Sequence, residues 1–162
     1  AGARRGGSPM SEERERMLER MGRLPERMIR LIEQESLDDL RRAGPGGSWG
    51  AVEHVAHLRD FDDVSLDRID QILSEDNPEL DFFDTDLRAI ENDYHAQNPF
   101  ETAEAFREIR SELVNRLDGL SDADWQRTAQ ITDVGDVTLE TLIQQLDQHD
   151  EQHFHALRDV LV

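Results

Sequence analysis

Apolar residues recur every three or four positions over segments far longer than any strand, and proline and glycine interrupt the chain only sparsely. That pattern admits amphipathic helices and little else. The first apolar series is Met17, Leu18, Met21, Leu24, Met28, Leu31 and Ile32. It predicts a helix from Ser11, as N-cap, to Ala43, kinked at Pro25 and stopped by Gly44-Pro45-Gly46-Gly47. Ser48 is read as the cap of a second helix of about 25 residues carrying Val52, Val55, Leu58, Phe61, Ile69 and Ile72 and ending before Asn77-Pro78. The stretch from Pro78 to Pro99, with Phe82, Phe83, Leu87, Ile90 and Tyr94, predicts a short helix between two loops. A third long helix is expected from Pro99 to Leu117, with Thr102, Phe106, Ile109, Leu113 and Leu117 inward and Gly119 as terminator. Residues 121 to 137 read as a long connection, and Thr138 as the N-cap of a last helix reaching the C-terminus. No strand is expected. Four long amphipathic helices predict an all-α four-helix bundle over residues 11–162, with a short extra helix between the second and third and a flexible leader over residues 1–10.

Only 36% of the residues are hydrophobic and 34% are charged, so folding depends on strict segregation of the two onto opposite faces. A chain of 162 residues suffices for one such core without staples. Cysteine is absent, which excludes disulfides, thiolate nucleophiles and Cys-ligated metals; any metal must be held by His, Asp or Glu. Acidic residues number 37 against 18 basic ones, all of them Arg, for a net charge of −19. Such a surface repels phosphate backbones and anionic membranes, so neither nucleic acid nor membrane is expected as a partner, and a cytoplasmic location is. A salt-rich cytoplasm and arginine-favouring codon usage account for this composition equally well.

The last helix carries the chemistry. Its apolar stripe runs Leu139, Leu142, Leu146, then His149 and His153, then Leu157 and Val160. Side chains at i and i+4 lie one above the other, so the two imidazoles face the same way, the spacing by which a helix offers two ligands to one metal. Two packed core histidines are the competing reading. His155 falls on the polar side with Glu151, Gln152 and Asp159, and His95 lies in the irregular middle; both are read as solvated. In the second helix His54 and His57 are three apart, and periodicity does not choose between them. A di-iron carboxylate centre would need Glu-x-x-His pairs, which are missing.

The segment SWGAVEHVAHLRD, from Ser48 to Asp60, resembles the second helix of the DinB/YfiT-like superfamily, which typically opens with Trp-Ser and places a His-Leu pair two turns later. The end of the chain, with Trp125, Gly135 and His149-x-x-x-His153, resembles that family's closing pattern. The register from Trp49 selects His57 over His54, so the resemblance implies a metal held by His57, His149 and His153, with His54 as an extra neighbour. It further implies a DinB-type bundle, often a homodimer, holding a divalent ion such as Zn or Ni with one coordination position open to water or a thiol. Relatives include mycothiol-dependent maleylpyruvate isomerases and bacillithiol transferases, so a low-molecular-weight thiol is an expected cofactor and a small molecule the expected substrate. Gly50, where the family usually has a helix former, and the marked acidity are departures. Glu53, Asp60 and Asp150 are the candidate catalytic acids, each against the plainer reading of a solvated charge. The expected function is metal-dependent activation of water or a thiol; a non-catalytic metal-binding or stress-induced protein is the alternative.

Overall fold

The computed structural model describes residues 9–162, with side chains from Ser11 onward. Of the expected leader, residues 1–8 lie outside the described residues, while Pro9 and Met10 already belong to the first helix. Four long helices, α1 (Pro9–Ile32), α3 (Ala51–Ser74), α5 (Pro99–Leu117) and α7 (Leu139–Val160), make the bundle. Short helices α2 (Leu37–Arg41), α4 (Thr85–Glu91) and α6 (Asp122–Trp125) sit in the connections. The expected extra helix between the second and third long ones is α4.

The long helices pack in an order that differs from their order in the chain. α1 lies against α5 and α7, and α3 against α5 and α7, so α1 and α3 are not principal neighbours although they are consecutive. The arrangement sets α3 beside α7 and thereby brings together histidines some 90 residues apart in sequence.

Several local signals act as read. Thr138 Oγ1 accepts from the Thr141 amide at 3.1 Å and starts α7, and Asn98 Oδ1 accepts from the amides of Phe100 and Glu101 ahead of Pro99. Others differ. The first helix stops at Ile32, because Ser36 caps a separate turn of helix, α2, by accepting from the Asp39 amide. Ser11 lies inside α1 rather than at its cap. The residue capping α3 is Gly50, whose amide donates to Glu53 Oε2 at 3.1 Å, and not Ser48. A Cβ on Gly50 would stand 2.0 Å from the carbonyl oxygen of Arg42, so only glycine lets the loop after α2 close over the start of α3. That accounts for the departure noted at this position.

A small sheet corrects the expectation of no strands. β2 (Thr128–Ile131) and β3 (Gly135–Thr138) form an antiparallel hairpin, and β1 (Glu79–Leu80) joins β2 in parallel. Ala129 and Val137, which face one another in register, are buried while Thr128, Gln130 and Asp136 are exposed, a period of two too short to stand out in the sequence. The sheet closes the end of the bundle, where Leu80, Ala129 and Val137 join Met17, Met21, Ile69, Ile72 and Leu113 in one apolar cluster. A second cluster at the opposite end holds Leu24, Met28, Ile32, Leu58, Phe106, Phe154 and Leu157. Phe82 and Ile90, on the connection around α4, remain 78% and 77% exposed. Among the described residues no helix is long and apolar enough to cross a membrane.

Candidate metal centre

Between the two apolar clusters the bundle carries a layer of charge. α3, α5 and α7 each repeat apolar residues at alternating steps of three and four, and each sets a charged residue among them at the same level of the bundle: Asp62 after Leu58, Arg110 after Phe106, Asp150 after Leu146. All three are buried. Arg110 forks onto Asp62, with Nε to Oδ2 at 2.8 Å and Nη2 to Oδ1 at 2.7 Å, and Nη2 also donates to Asp150 Oδ2. Its Nη1 donates to the backbone oxygen of Met21 at 3.0 Å. Pro25, four residues on in α1, has no N–H to offer that carbonyl, so the arginine takes the bond the proline leaves open. Two carboxylates share one guanidinium here, and burial pushes Asp62 above the usual carboxylate range.

From this layer a hydrogen-bonded line leads to the histidines. The other oxygen of Asp150, Oδ1, lies 3.1 Å from His149 Nδ1. A carboxylate can only accept, so Nδ1 carries the ring proton and Nε2 is left as a bare donor atom. That Nε2 stands 2.9 Å from His57 Nε2. One ring nitrogen from each of His57, His149 and His153 falls within 4.8 Å of the others. Nitrogens sharing one tetrahedral ion at about 2.0–2.1 Å lie roughly 3.3 Å apart, so the group has the spacing of a ligand set.

The chemistry of the donors fits a cation as well. His57 is 2% exposed, and burial, with the fields of His153 and His149 next, pulls its pKa down to about 3. Burial and the same kind of neighbours pull His153 down to about 4. Both rings are therefore neutral at ordinary pH and present lone pairs rather than charges. Converging lone pairs repel unless a proton or a metal ion lies among them, and burial disfavours added protons. His57 Nδ1 is itself buried with no partner among the described residues, so the protein holds that ring from one side alone. Neutral imidazoles with an oriented carboxylate behind them suit Zn, Ni or another ion of intermediate softness.

His54 is also buried, and its pKa is lowered by burial. Its Nδ1 sits 2.9 Å from His153 Nδ1, so it stands behind His153 as Asp150 stands behind His149, and it is not one of the converging three. Trp49 lies across His57 at 5.1 Å between ring centres, and Phe61 stacks on His149 at 4.5 Å. These rings fix the imidazole planes. His155 is exposed on the far side of α7, and His95, also exposed, pairs with Glu53 at 3.0 Å. Of the three candidate acids, Asp150 alone touches a histidine of the group. Glu53 is occupied at the start of α3, and Asp60 accepts from the Tyr94 hydroxyl at 2.7 Å, the Asn92 amide at 2.8 Å and Arg59, tying the middle segment to α3.

A cavity of about 220 Å³ opens beside His149, walled by Phe61, Ser65, Arg68, Ile131, Leu142 and Leu146 among others. Residues 78–99 do not wall it; that segment borders it at one remove, through Phe83 on Phe61 and the Asp81 carbonyl on Arg68. A second cavity, of about 520 Å³, lies beyond His54 and Trp49. A third, of about 580 Å³, runs between α1 and α7 with no histidine in its lining and with Arg14 and Arg20 already paired to Glu140 and Asp147.

Comparison with known proteins agrees with this architecture. The profile of the DinB superfamily matches residues 10–157. A solved structure, YfiT from Bacillus subtilis, superposes with a TM-score of 0.87 at 19% sequence identity, covering 99% of this chain and 91% of that one. YfiT is described as a probable metal-dependent hydrolase with an unusual four-helix bundle topology. No curated protein matches the chain.

Proposed function

This chain belongs to the DinB superfamily, and on that premise we propose that it is a metal-dependent enzyme in which His57, His149 and His153 hold one divalent ion, Zn or Ni. The observation that carries the reading is the convergence of three imidazole nitrogens, two of the rings desolvated and neutral, with Asp150 oriented by Arg110 behind the third. The description of YfiT as a probable metal-dependent hydrolase supports it. When bound, the ion supplies Lewis acidity toward a water or a small thiol in the position that three protein ligands leave free. The rest is done by the chain. Asp150 fixes the His149 tautomer, His54 fixes the orientation of His153, Trp49 and Phe61 hold the ring planes, and the apolar wall of Leu142 and Leu146 limits access of bulk water. Substrates are small molecules entering beside His149, and the reaction is hydrolysis or transfer to a thiol.

Elemental analysis of the purified protein tests the centre, with one ion per chain expected. His149→Ala and His153→Ala abolish stoichiometric binding, His57→Ala weakens it severely, and His155→Ala leaves it unchanged. Equal metal content in the wild type and His149→Ala refutes the centre. In cobalt-substituted protein a small thiol shifts the visible spectrum, and a fully loaded protein that answers to neither thiols nor carboxylates marks the site as closed and non-catalytic.

A further inference from the structure

The cavity beside His149 is mostly apolar; besides His149 its polar lining is Gln145 on α7 and, one turn apart on α3, Ser65 and Arg68, the one cationic group among them. In a chain with 37 acidic residues and 18 arginines, the long helices mostly spend their arginines on carboxylates. Arg68 does otherwise. Among the described residues it forms no ion pair within 4.0 Å, and its one hydrogen bond is from Nη2 to the backbone oxygen of Asp81 at 2.7 Å. Nε and Nη1 are uncommitted. Burial disfavours its charge, with only the field of Asp81 working the other way, so an anion brought against it would relieve that cost. Ser65 adds an independent sign: its side chain is 3% exposed, faces the cavity, and its hydroxyl has no hydrogen-bond partner among the described residues. That oxygen is not among the buried polar atoms left without a partner, so it is reached from the cavity and can donate to an anion placed there.

We infer that this cavity binds a small organic carboxylate, its anionic head held by Arg68 and Ser65 and its apolar body laid against Phe61, Ile131, Leu142 and Leu146, with the reacting group directed to His149. At about 220 Å³ the space falls below the roughly 300–1,000 Å³ of pockets for drug-sized ligands, so the body is a short chain or a single ring. The planar fork of a guanidinium matches a carboxylate in two contacts, and the surrounding apolar wall strengthens them by excluding water. Of the two cavities that adjoin the histidine cluster, this one reaches a member of the converging triad directly, whereas the other ends on His54. The assignment of reacting group to His149 rests on the metal-dependent reading; the carboxylate subsite does not.

The test uses hexanoate and its neutral analogue hexanamide, titrated into the full chain while the methyl resonances of Ile131, Leu142 and Leu146 are followed by NMR, in both metal-loaded and chelator-treated protein. Hexanoate is expected to shift those methyls and to bind at least tenfold more tightly than hexanamide in both states. Arg68→Met should remove that preference, and Arg68→Lys should keep part of it. Equal affinity for acid and amide, or an Arg68→Met variant that still prefers the acid, overturns the subsite. If elemental analysis finds no metal while the preference for hexanoate persists and depends on Arg68, the metal-dependent reading falls and the carboxylate subsite stands. Should Arg68→Met fail to fold, the acid-to-amide ratio in wild type and Arg68→Lys decides alone.

Discussion

The ends of this bundle and its waist are built on opposite terms. At both ends, burial is apolar: Met21, Ile69, Ile72 and Leu113 at one, Leu24, Met28, Leu58 and Phe106 at the other. Such contacts are non-directional, and each side chain lowers the free energy by leaving water. At the waist, Asp62, Arg110 and Asp150 are buried to the same degree, but they gain stability only as a set, because each compensates the desolvation of the others. A layer of that kind is a poor way to add stability. Its value here is directional: it aims Asp150 at His149 and so sets which nitrogen faces the centre.

The contrast is broken most severely by Arg110→Met. Removing the guanidinium leaves two carboxylates buried without a counter-charge and the Met21 carbonyl without its donor, and the expected loss is about 3–5 kcal/mol in urea unfolding. The pH dependence has a defined sign. Burial raises the folded-state pKa of Asp62 from an ordinary 3.8 to about 6, so between those values the folded state binds more protons than the unfolded one and stability falls as pH rises. In Arg110→Met that fall should be steeper and extend to higher pH. Replacing all three charges together by Leu, Met and Leu should restore stability to the wild-type level or above it while metal affinity drops. A triple variant as unstable as Arg110→Met would show that the layer stabilises the fold in its own right.

Leu58→Ala probes the apolar end. The side chain is fully buried in its cluster, and its truncation should cost about 2–5 kcal/mol, mostly as a cavity, with no pH dependence between 4 and 8. A pH-dependent loss would mean that the two regions are coupled.

How much of this could be read beforehand follows the same division. The ends were legible, since apolar side chains at steps of three and four announce helices, and Thr138, Pro99 and Gly119 mark their limits by local backbone chemistry. The His149/His153 pair was legible for the same reason, as two polar residues on an apolar stripe. The waist carries that same signal in a less legible form. Asp62 stands on the stripe of Leu58 and Ile69, and Arg110 on that of Phe106 and Leu113, where Ile109, expected to face inward, is only half buried. A charged residue at a core position on one helix reads as an error, and only three of them at one level of the bundle read as a layer. Which helices meet is not in the periodicity, so neither the layer nor the partnership of Pro25 with Arg110 was available from it. The hairpin is not legible because its strands are four residues each, too short for an alternation to show. The loop after α2 fixes Gly50 through a contact with Arg42 that no local pattern encodes.

A smaller effect is expected from Asp150→Asn. The amide has nearly the shape of the carboxylate and can still accept from His149 Nδ1, but it has lost the charge that makes the imidazole a strong donor to metal. Metal affinity should fall about 10–100-fold, the usual cost of altering a carboxylate behind a histidine ligand, while His155→Ala stays at the wild-type value. An unchanged affinity would assign Asp150 to the charged layer alone.

The smallest effect separates buried charge from surface charge. The net charge of −19 lies almost entirely in water, where like charges repel across distances comparable with the Debye length, about 10 Å at 0.1 M salt. Raising salt from millimolar to molar should therefore raise the unfolding temperature by a few degrees, on the order of 1 kcal/mol at this chain length. The waist should not share in it, because Asp62 and Arg110 have no contact with solvent ions. Salt should then lift wild type and Arg110→Met in parallel and leave the gap between their unfolding temperatures unchanged. If the gap closes as salt is added, ions reach the layer in the variant and the waist has opened to water; if neither protein responds, the surface charge carries no self-repulsion for salt to relieve.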